Sequence, residues 1–126
     1  MTENEISKII IGKAIEVHRH LGPGLLESAY QKCLAYDLRN VKEFHLELEK
    51  PLPIRYKGIE LDCGYRLDMV INNRVIVELK AVDTLLPIHE AQLLTYLKLT
   101  NLKLGLLINF NVPVLRKGIK RIVNNL

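Results

Sequence analysis

The chain has 126 residues, of which 48% are hydrophobic and 25% are charged, and it carries a net charge of +4. These proportions exclude a largely disordered chain, and the length predicts a single domain, residues 1–126, around one hydrophobic core. No apolar run approaches the roughly 20 residues of a membrane span. The polar, acidic N-terminus does not resemble a secretion signal, so we expect a cytoplasmic protein with no membrane partner.

Helical periodicity opens the chain. Thr2 and Glu5 have the spacing of a capping box, in which each side chain satisfies the free backbone N–H of the other residue. A helix is predicted from about residue 3 to 21 and a second from Leu25 to Arg39, separated by a Gly-Pro-Gly stop at residues 22–24. The positions expected to face inward are Ile6, Ile10, Ala14, Val17 and Leu21 in the first helix, and Leu26, Tyr30, Cys33, Leu34 and Leu38 in the second.

The pattern changes to that of strands after residue 43. Alternation from Phe44 predicts a half-buried strand that bends or lies at a sheet edge, because Pro51 and Pro53 interrupt it. Two short strands, 54–57 and 59–63, are predicted to pair around Lys57-Gly58. Two longer strands, 65–71 and 74–81, flank the hairpin signal Asn72-Asn73.

The last third returns to helical spacing at 84–100. An apolar run at 104–110 suits a buried strand, and residues 119–123 predict a last short strand. This order, helix, helix, several strands, helix, strand, predicts an α/β or α+β fold in which helices pack on a mixed sheet.

Two features of the composition bear on partners. Cys33 and Cys63 have no CxxC neighbour, so we expect two buried thiols and not a zinc site or a disulfide framework. The sequence pI of about 9.1 is compatible with a nucleic-acid partner. Basic residues gather near the C-terminus and form either a solvated tail or an edge that contacts phosphates; they are Arg116, Lys117, Lys120 and Arg121.

The segment from Tyr65 to Lys80 holds the candidate chemistry. Asp68 and Glu78 stand in otherwise apolar strands, where a buried charge without a partner is costly. Glu78 and Lys80 are two residues apart and share a strand face, with Leu79 opposite in the core. Two carboxylates and an ammonium suit a Mg²⁺ or Mn²⁺ ion with a lysine beside the attacking water. A structural ion pair at a strand end is the alternative that the spacing leaves open.

The register of the hairpin is the test of this site. A two-residue turn at Asn72-Asn73 would pair Asp68 with Val77 and leave Glu78 on the other face. A three-residue loop or a bulge shifts the register by one and brings Asp68 and Glu78 together. The metal site therefore requires an irregular hairpin or a strong twist.

Other polar residues are candidates for supporting roles. Glu27 and Tyr30 lie one helical turn apart, and Glu27 either points toward the metal or is a first-turn glutamate favoured by the helix dipole. Gln92 and Tyr96 share a helix face. They either steady the lysine, contact the nucleic-acid backbone, or are half-buried packing. His20 is kept only as a neighbour of the site.

Gly24-x-x-Glu27-x-x-Tyr30, preceded by Val17-His-Arg-His-Leu-Gly-Pro, resembles the GxxExxY proteins, a small prokaryotic family within the PD-(D/E)XK nuclease superfamily. The resemblance covers nearly the whole chain and implies a restriction-endonuclease-like core in the order αβββαβ. It makes Glu27 the first-helix acid, Asp68 the second-strand aspartate, and Glu78-Leu79-Lys80 the (D/E)-x-K element.

Two details accompany the resemblance. Gln92 and Tyr96 are similar to the Gln-x-x-x-Tyr helix motif of RecB-type nucleases in the same superfamily. Leu67 stands where the superfamily motif has proline before the aspartate, a position at which proline is often missing.

The resemblance implies a Mg²⁺- or Mn²⁺-dependent nuclease that hydrolyses phosphodiester bonds in DNA. Asp68, Glu78 and Glu27 would hold the metal, and Lys80 would act on the nucleophilic water. The competing hypothesis is a non-catalytic accessory module that retains the fold and binds nucleic acid or protein. Because so small a domain has little surface for sequence recognition, a homodimer or a separate recognition subunit is a further expectation.

Overall fold

A computed structural model describes all 126 residues. Its helices and strands follow the predicted order. They are α1 (Glu3–Leu21), α2 (Glu27–Arg39), β1 (Leu46–Pro51), β2 (Ile54–Tyr56), β3 (Ile59–Leu61), β4 (Arg66–Ile71), β5 (Val75–Lys80), α3 (Pro87–Thr100), β6 (Leu104–Asn109), a 3₁₀ helix (Leu115–Gly118) and β7 (Ile119–Val123).

Five strands form a mixed sheet in the order β1-β4-β5-β6-β7, and β2 and β3 form a separate hairpin. The β5–β6 pair is parallel and the other pairs are antiparallel. β1 lies at the edge of the sheet, as Pro51 and Pro53 predict. The succession α2, β1, β4, β5, α3, β6 gives the expected order αβββαβ, consistent with a restriction-endonuclease-like fold.

The helix boundaries follow from local chemistry. The capping box of α1 is present, with the Glu5 N–H donating to Thr2 Oγ1 at 3.2 Å and the Thr2 N–H donating to Glu5 Oε1 at 2.9 Å. α2 begins two residues later than predicted because the glycine turn continues through Leu26. α3 begins at Pro87 instead of residue 84, since the fixed φ of proline suits the first helical position.

Helices cover both faces of the sheet. α1 and α2 pack on one face with Met69, Val77 and Leu79, and α3 packs on the other with Val70 and Ile76. The two clusters are separate, so buried residues on β4, β5 and β6 are divided between them. None of the three helices combines the length and the apolarity that crossing a membrane requires.

Several burial predictions were wrong. Leu21 and Leu26 are 38% and 76% exposed, because Leu21 is the last residue of α1 and Leu26 precedes α2. Cys33 and Cys63 are both exposed. Cys33 lines a surface cavity of about 420 Å³ between α1 and α2, and Cys63 lies in the segment after β3.

The basic residues near the C-terminus do not form a tail. Arg116 and Lys117 belong to the 3₁₀ helix, and Lys120 and Arg121 belong to the edge strand β7. All four are exposed. Charged side chains on an edge strand discourage pairing with another sheet.

Candidate active site

The β4–β5 hairpin has the three-residue loop that a metal site requires. Ile71 pairs with Val75, and the register continues through Met69 and Val77, so residues 72–74 form the loop. Asn72 and Asn73 have φ values of 55° and 51°, in the left-handed region that asparagine tolerates. This register places Glu78 opposite Asp68.

Asp68 and Glu78 contact each other beyond the last ladder pair. The Asp68 N–H donates to Glu78 Oε1 at 3.3 Å, and the Leu79 N–H donates to Asp68 Oδ2 at 2.8 Å. Glu78 is 9% exposed. Lys80 follows on the same face, while Leu79 lies in the core on the opposite face.

The structure shows no ion pair among the candidate site residues. The four ion pairs of the chain lie elsewhere on the surface, and none includes Asp68, Glu78 or Lys80. The two carboxyl groups therefore meet without a basic partner in contact.

The pKa values of Asp68 and Glu78 are both raised. Burial, the negative charge of Asp68 and a hydrogen bond between the two carboxyl groups raise the pKa of Glu78 to about 9. Burial also raises the pKa of Asp68, although the hydrogen bond from Leu79 opposes the shift. Lys80 lowers both pKa values, as the smallest contribution to each. At neutral pH the metal-free pair holds a proton.

Glu27 reaches the same end of β5. Its Oε2 accepts a hydrogen bond from the Ala81 N–H at 3.3 Å, directly after Lys80 in the chain. No group of three or more acidic, histidine or cysteine side chains lies close enough together to hold a metal ion. Glu27 thus contacts the end of β5 and is not part of the carboxyl pair.

Tyr30 holds the glycine turn that leads to Glu27. It is fully buried and stacks on Phe110 with ring centroids 4.4 Å apart. Its hydroxyl donates to the Gly22 carbonyl at 2.6 Å and accepts from the Leu25 N–H at 3.1 Å. Gly22 has a φ of 68°, which glycine adopts without strain. The tyrosine of the motif therefore has a structural role.

Replacing Tyr30 with phenylalanine should keep the stacking and lose both hydrogen bonds. We expect Tyr30→Phe to lower the free energy of unfolding by about 1–3 kcal/mol, since two part-buried hydrogen bonds to the backbone are lost. Urea denaturation measures the change. Tyr36→Phe, at a tyrosine on the same helix that is 69% exposed, is the matched control, and equal effects of the two variants would contradict the role of Tyr30.

Gln92 and Tyr96 lie on the α3 side of the carboxyl pair. Both line a surface groove of about 530 Å³ with Tyr65, whose ring meets Tyr96 edge-on at 6.1 Å. Tyr96 is 7% exposed. Burial raises the pKa of Tyr96, and the charges of Glu78, Tyr65 and Asp68 add to the shift.

The structure does not bring His20 to the carboxylates. Its Nδ1 lies 2.9 Å from the Glu16 carbonyl on the same helix. Its ring lines the cavity between α1 and α2, and none of the site carboxylates lines that cavity.

Three polar residues near the site were missed from the sequence. Gln31 donates from Nε2 to Glu49 Oε1 at 3.1 Å and to the Asp68 carbonyl at 3.3 Å. Asn109, 2% exposed, accepts from the Val82 N–H at 3.1 Å and donates to the Val82 carbonyl at 2.8 Å, which fixes the chain after Lys80. A lone asparagine in an apolar run was the available signal for Asn109. No sequence signal distinguishes Gln31, which is half-exposed, or Glu49, which is exposed.

The donors fit a hard divalent cation. Mg²⁺ is bound in proteins through one or two carboxylates while it keeps several waters. Asp68 and Glu78 supply two carboxylates in contact, and neither is in an ion pair with a basic side chain.

A five-stranded mixed sheet with an aspartate on one strand and Glu-x-Lys on the next defines the restriction-endonuclease-like class of α/β proteins. The family model of the PD-(D/E)XK nuclease superfamily matches residues 4–122. The chain belongs to that superfamily. Comparisons with curated proteins and with solved structures found no significant match. Membership of the GxxExxY family in particular stays a prediction.

Proposed function

We propose that this protein is a divalent-metal-dependent nuclease that hydrolyses phosphodiester bonds in DNA. The observation that carries the proposal is the contact between Asp68 and Glu78, in register, with Lys80 next on the same face. A buried and a half-buried carboxyl group in contact are a poor structural choice, because their repulsion costs stability. A bound cation would replace the shared proton and remove that repulsion.

Each side chain then has a role. Asp68 and Glu78 would hold Mg²⁺ or Mn²⁺, and Glu27 would act through a water molecule. When bound, the cation lowers the pKa of a coordinated water and neutralises charge on the phosphate oxygens. The Lys80 ammonium, which is in no ion pair, would donate hydrogen bonds to the attacking water or to the charge that develops on the phosphate.

The test is incubation of the protein with linear, circular and single-stranded DNA in Mg²⁺, Mn²⁺ or EDTA. Cleavage that EDTA abolishes supports the proposal, and cutting of the circular substrate identifies an endonuclease. Retarded migration without cleavage would favour the non-catalytic module instead. If the protein neither binds nor cleaves any of these DNA substrates, the proposal is overturned.

Asp68→Asn should weaken Mn²⁺ binding by at least about tenfold, because one anionic ligand becomes a neutral amide. Isothermal titration calorimetry measures the affinity. Asp62→Asn is the control, since Asp62 is a surface carboxylate 3.6 Å from Arg66. An unchanged affinity in Asp68→Asn would contradict the assignment of Asp68 as a ligand.

A further inference from the structure

Glu49 lies beside Asp68, on the side away from Glu78. β1 and β4 pair Leu48 with Met69 and Lys50 with Leu67, which leaves Glu49 opposite Asp68 without a ladder pair of its own. The φ of Glu49 is 48°. A non-glycine residue adopts this left-handed conformation inside a strand only where its surroundings hold it there.

The distortion coincides with a change of face in β4. Residues two apart in a regular strand point to the same side. Met69 nevertheless packs with α1 and α2, whereas Leu67 packs with the α3 cluster. The regular alternation of side chains between the two faces of the sheet is therefore interrupted next to Asp68. Ordinary strand geometry does not set the direction of this carboxylate.

Gln31 links α2 to this irregular point. The two hydrogen atoms of its amide nitrogen have two acceptors, Glu49 Oε1 at 3.1 Å and the Asp68 carbonyl oxygen at 3.3 Å. A hydrogen bond to that carbonyl fixes the peptide plane after Asp68. The Glu49 carboxylate in turn fixes the amide, since Gln31 would otherwise be a half-exposed, mobile side chain.

We propose that Gln31 and Glu49 are positioning residues for Asp68. Gln31 holds the Asp68 backbone, and Glu49 serves as the acceptor that orients Gln31. The inference rests on the proposed function only in giving Asp68 the task of binding a cation. It requires an acceptor oxygen at residue 49, which the side-chain amide of glutamine also offers, so Glu49→Gln should keep the contact with Gln31.

The variants Gln31→Ala, Glu49→Ala and Glu49→Gln separate these requirements. The first readout is amide hydrogen exchange of Leu79 in metal-free protein, because the Leu79 N–H bonds to Asp68 Oδ2. The second is Mn²⁺ affinity by calorimetry. We expect both alanine variants to speed Leu79 exchange and to weaken Mn²⁺ binding by about tenfold, with Glu49→Gln within about twofold of wild type.

Two controls keep the result specific. Glu47→Ala, on the same strand and ion-paired with Lys50 at 3.2 Å, should leave both readouts unchanged. Glu49→Gly relieves the backbone strain and removes the acceptor, so it should fold well and still behave like Glu49→Ala.

Three outcomes have distinct meanings. A Glu49→Gln variant as impaired as Glu49→Ala would show that the charge acts directly and would overturn the acceptor role. A Gln31→Ala variant identical to wild type in Leu79 exchange would overturn the positioning role. If wild-type protein binds no Mn²⁺, the proposed function is overturned. The positioning role is still tested by the Leu79 exchange measurement, which needs no metal.

Discussion

Lys80→Ala is expected to reduce DNA cleavage in Mg²⁺ by about 100- to 1,000-fold, the effect of removing one preorganised donor from a charged transition state. The fold should survive, because the Lys80 side chain makes no ion pair. Its backbone carbonyl, which accepts from the Phe110 N–H at 2.9 Å, is unaffected by the substitution. Single-turnover cleavage kinetics measure the loss.

Mn²⁺ affinity and thermal stability distinguish a defect of Lys80→Ala in the chemical step from a defect in cation binding or folding. Mn²⁺ affinity and the thermal midpoint of Lys80→Ala should match wild type, which would place the defect in the chemical step. Lys98→Ala, at an exposed lysine of α3, should cleave normally. Wild-type rates in Lys80→Ala would refute its role, and a parallel loss of cation binding would show that Lys80 acts on the carboxylates instead.

Local sequence signals predicted most of the fold. The capping box of Thr2 and Glu5 and the Asn72-Asn73 hairpin are short-range devices whose geometry depends on neighbouring residues. Such signals do not report packing between distant elements. The exposed position of Cys33 follows from how α2 lies against α1, and nothing in the spacing of its own helix specifies that.

The register of the hairpin shows where local reasoning ended. The sequence left two registers open, and the choice depends on a contact with the residue before β1. Asn72 accepts from the His45 N–H at 2.6 Å and donates its own N–H to the His45 carbonyl at 2.8 Å. This pairing across 27 residues extends the loop to three residues and turns Glu78 toward Asp68.

The supporting residues were hidden for a related reason. Glu49 continues an alternation of polar and apolar residues, so the pattern predicts a solvent-facing position. Only its left-handed backbone and its hydrogen bond from Gln31 distinguish it. The motif Gly-x-x-Glu-x-x-Tyr likewise combines two purposes, since Tyr30 builds the turn and Glu27 reaches the end of β5.

The largest expected effect on stability comes from Glu78. Its pKa is about 9 in the folded protein and 4.5 as an ordinary carboxyl. Between these values the folded chain binds a proton that the unfolded chain has released, so the free energy of unfolding falls as pH rises. The stability that the proton on Glu78 contributes is fully present below pH 4.5 and is lost by about pH 9. The raised pKa of Asp68 also makes the free energy of unfolding fall as pH rises.

Glu78→Gln should remove most of this pH dependence, because a neutral amide resembles the protonated carboxyl at every pH. We expect the thermal midpoint of metal-free wild type to fall by at least about 5 °C more than that of Glu78→Gln between pH 5 and pH 9. Glu60→Gln, at an exposed glutamate of β3, controls for the loss of one charge.

Mn²⁺ at pH 8 should raise the midpoint of wild type far more than that of Glu78→Gln, because the cation binds the folded state and takes the place of the proton. Parallel pH curves for wild type and Glu78→Gln would mean that the two carboxyl groups do not share a proton.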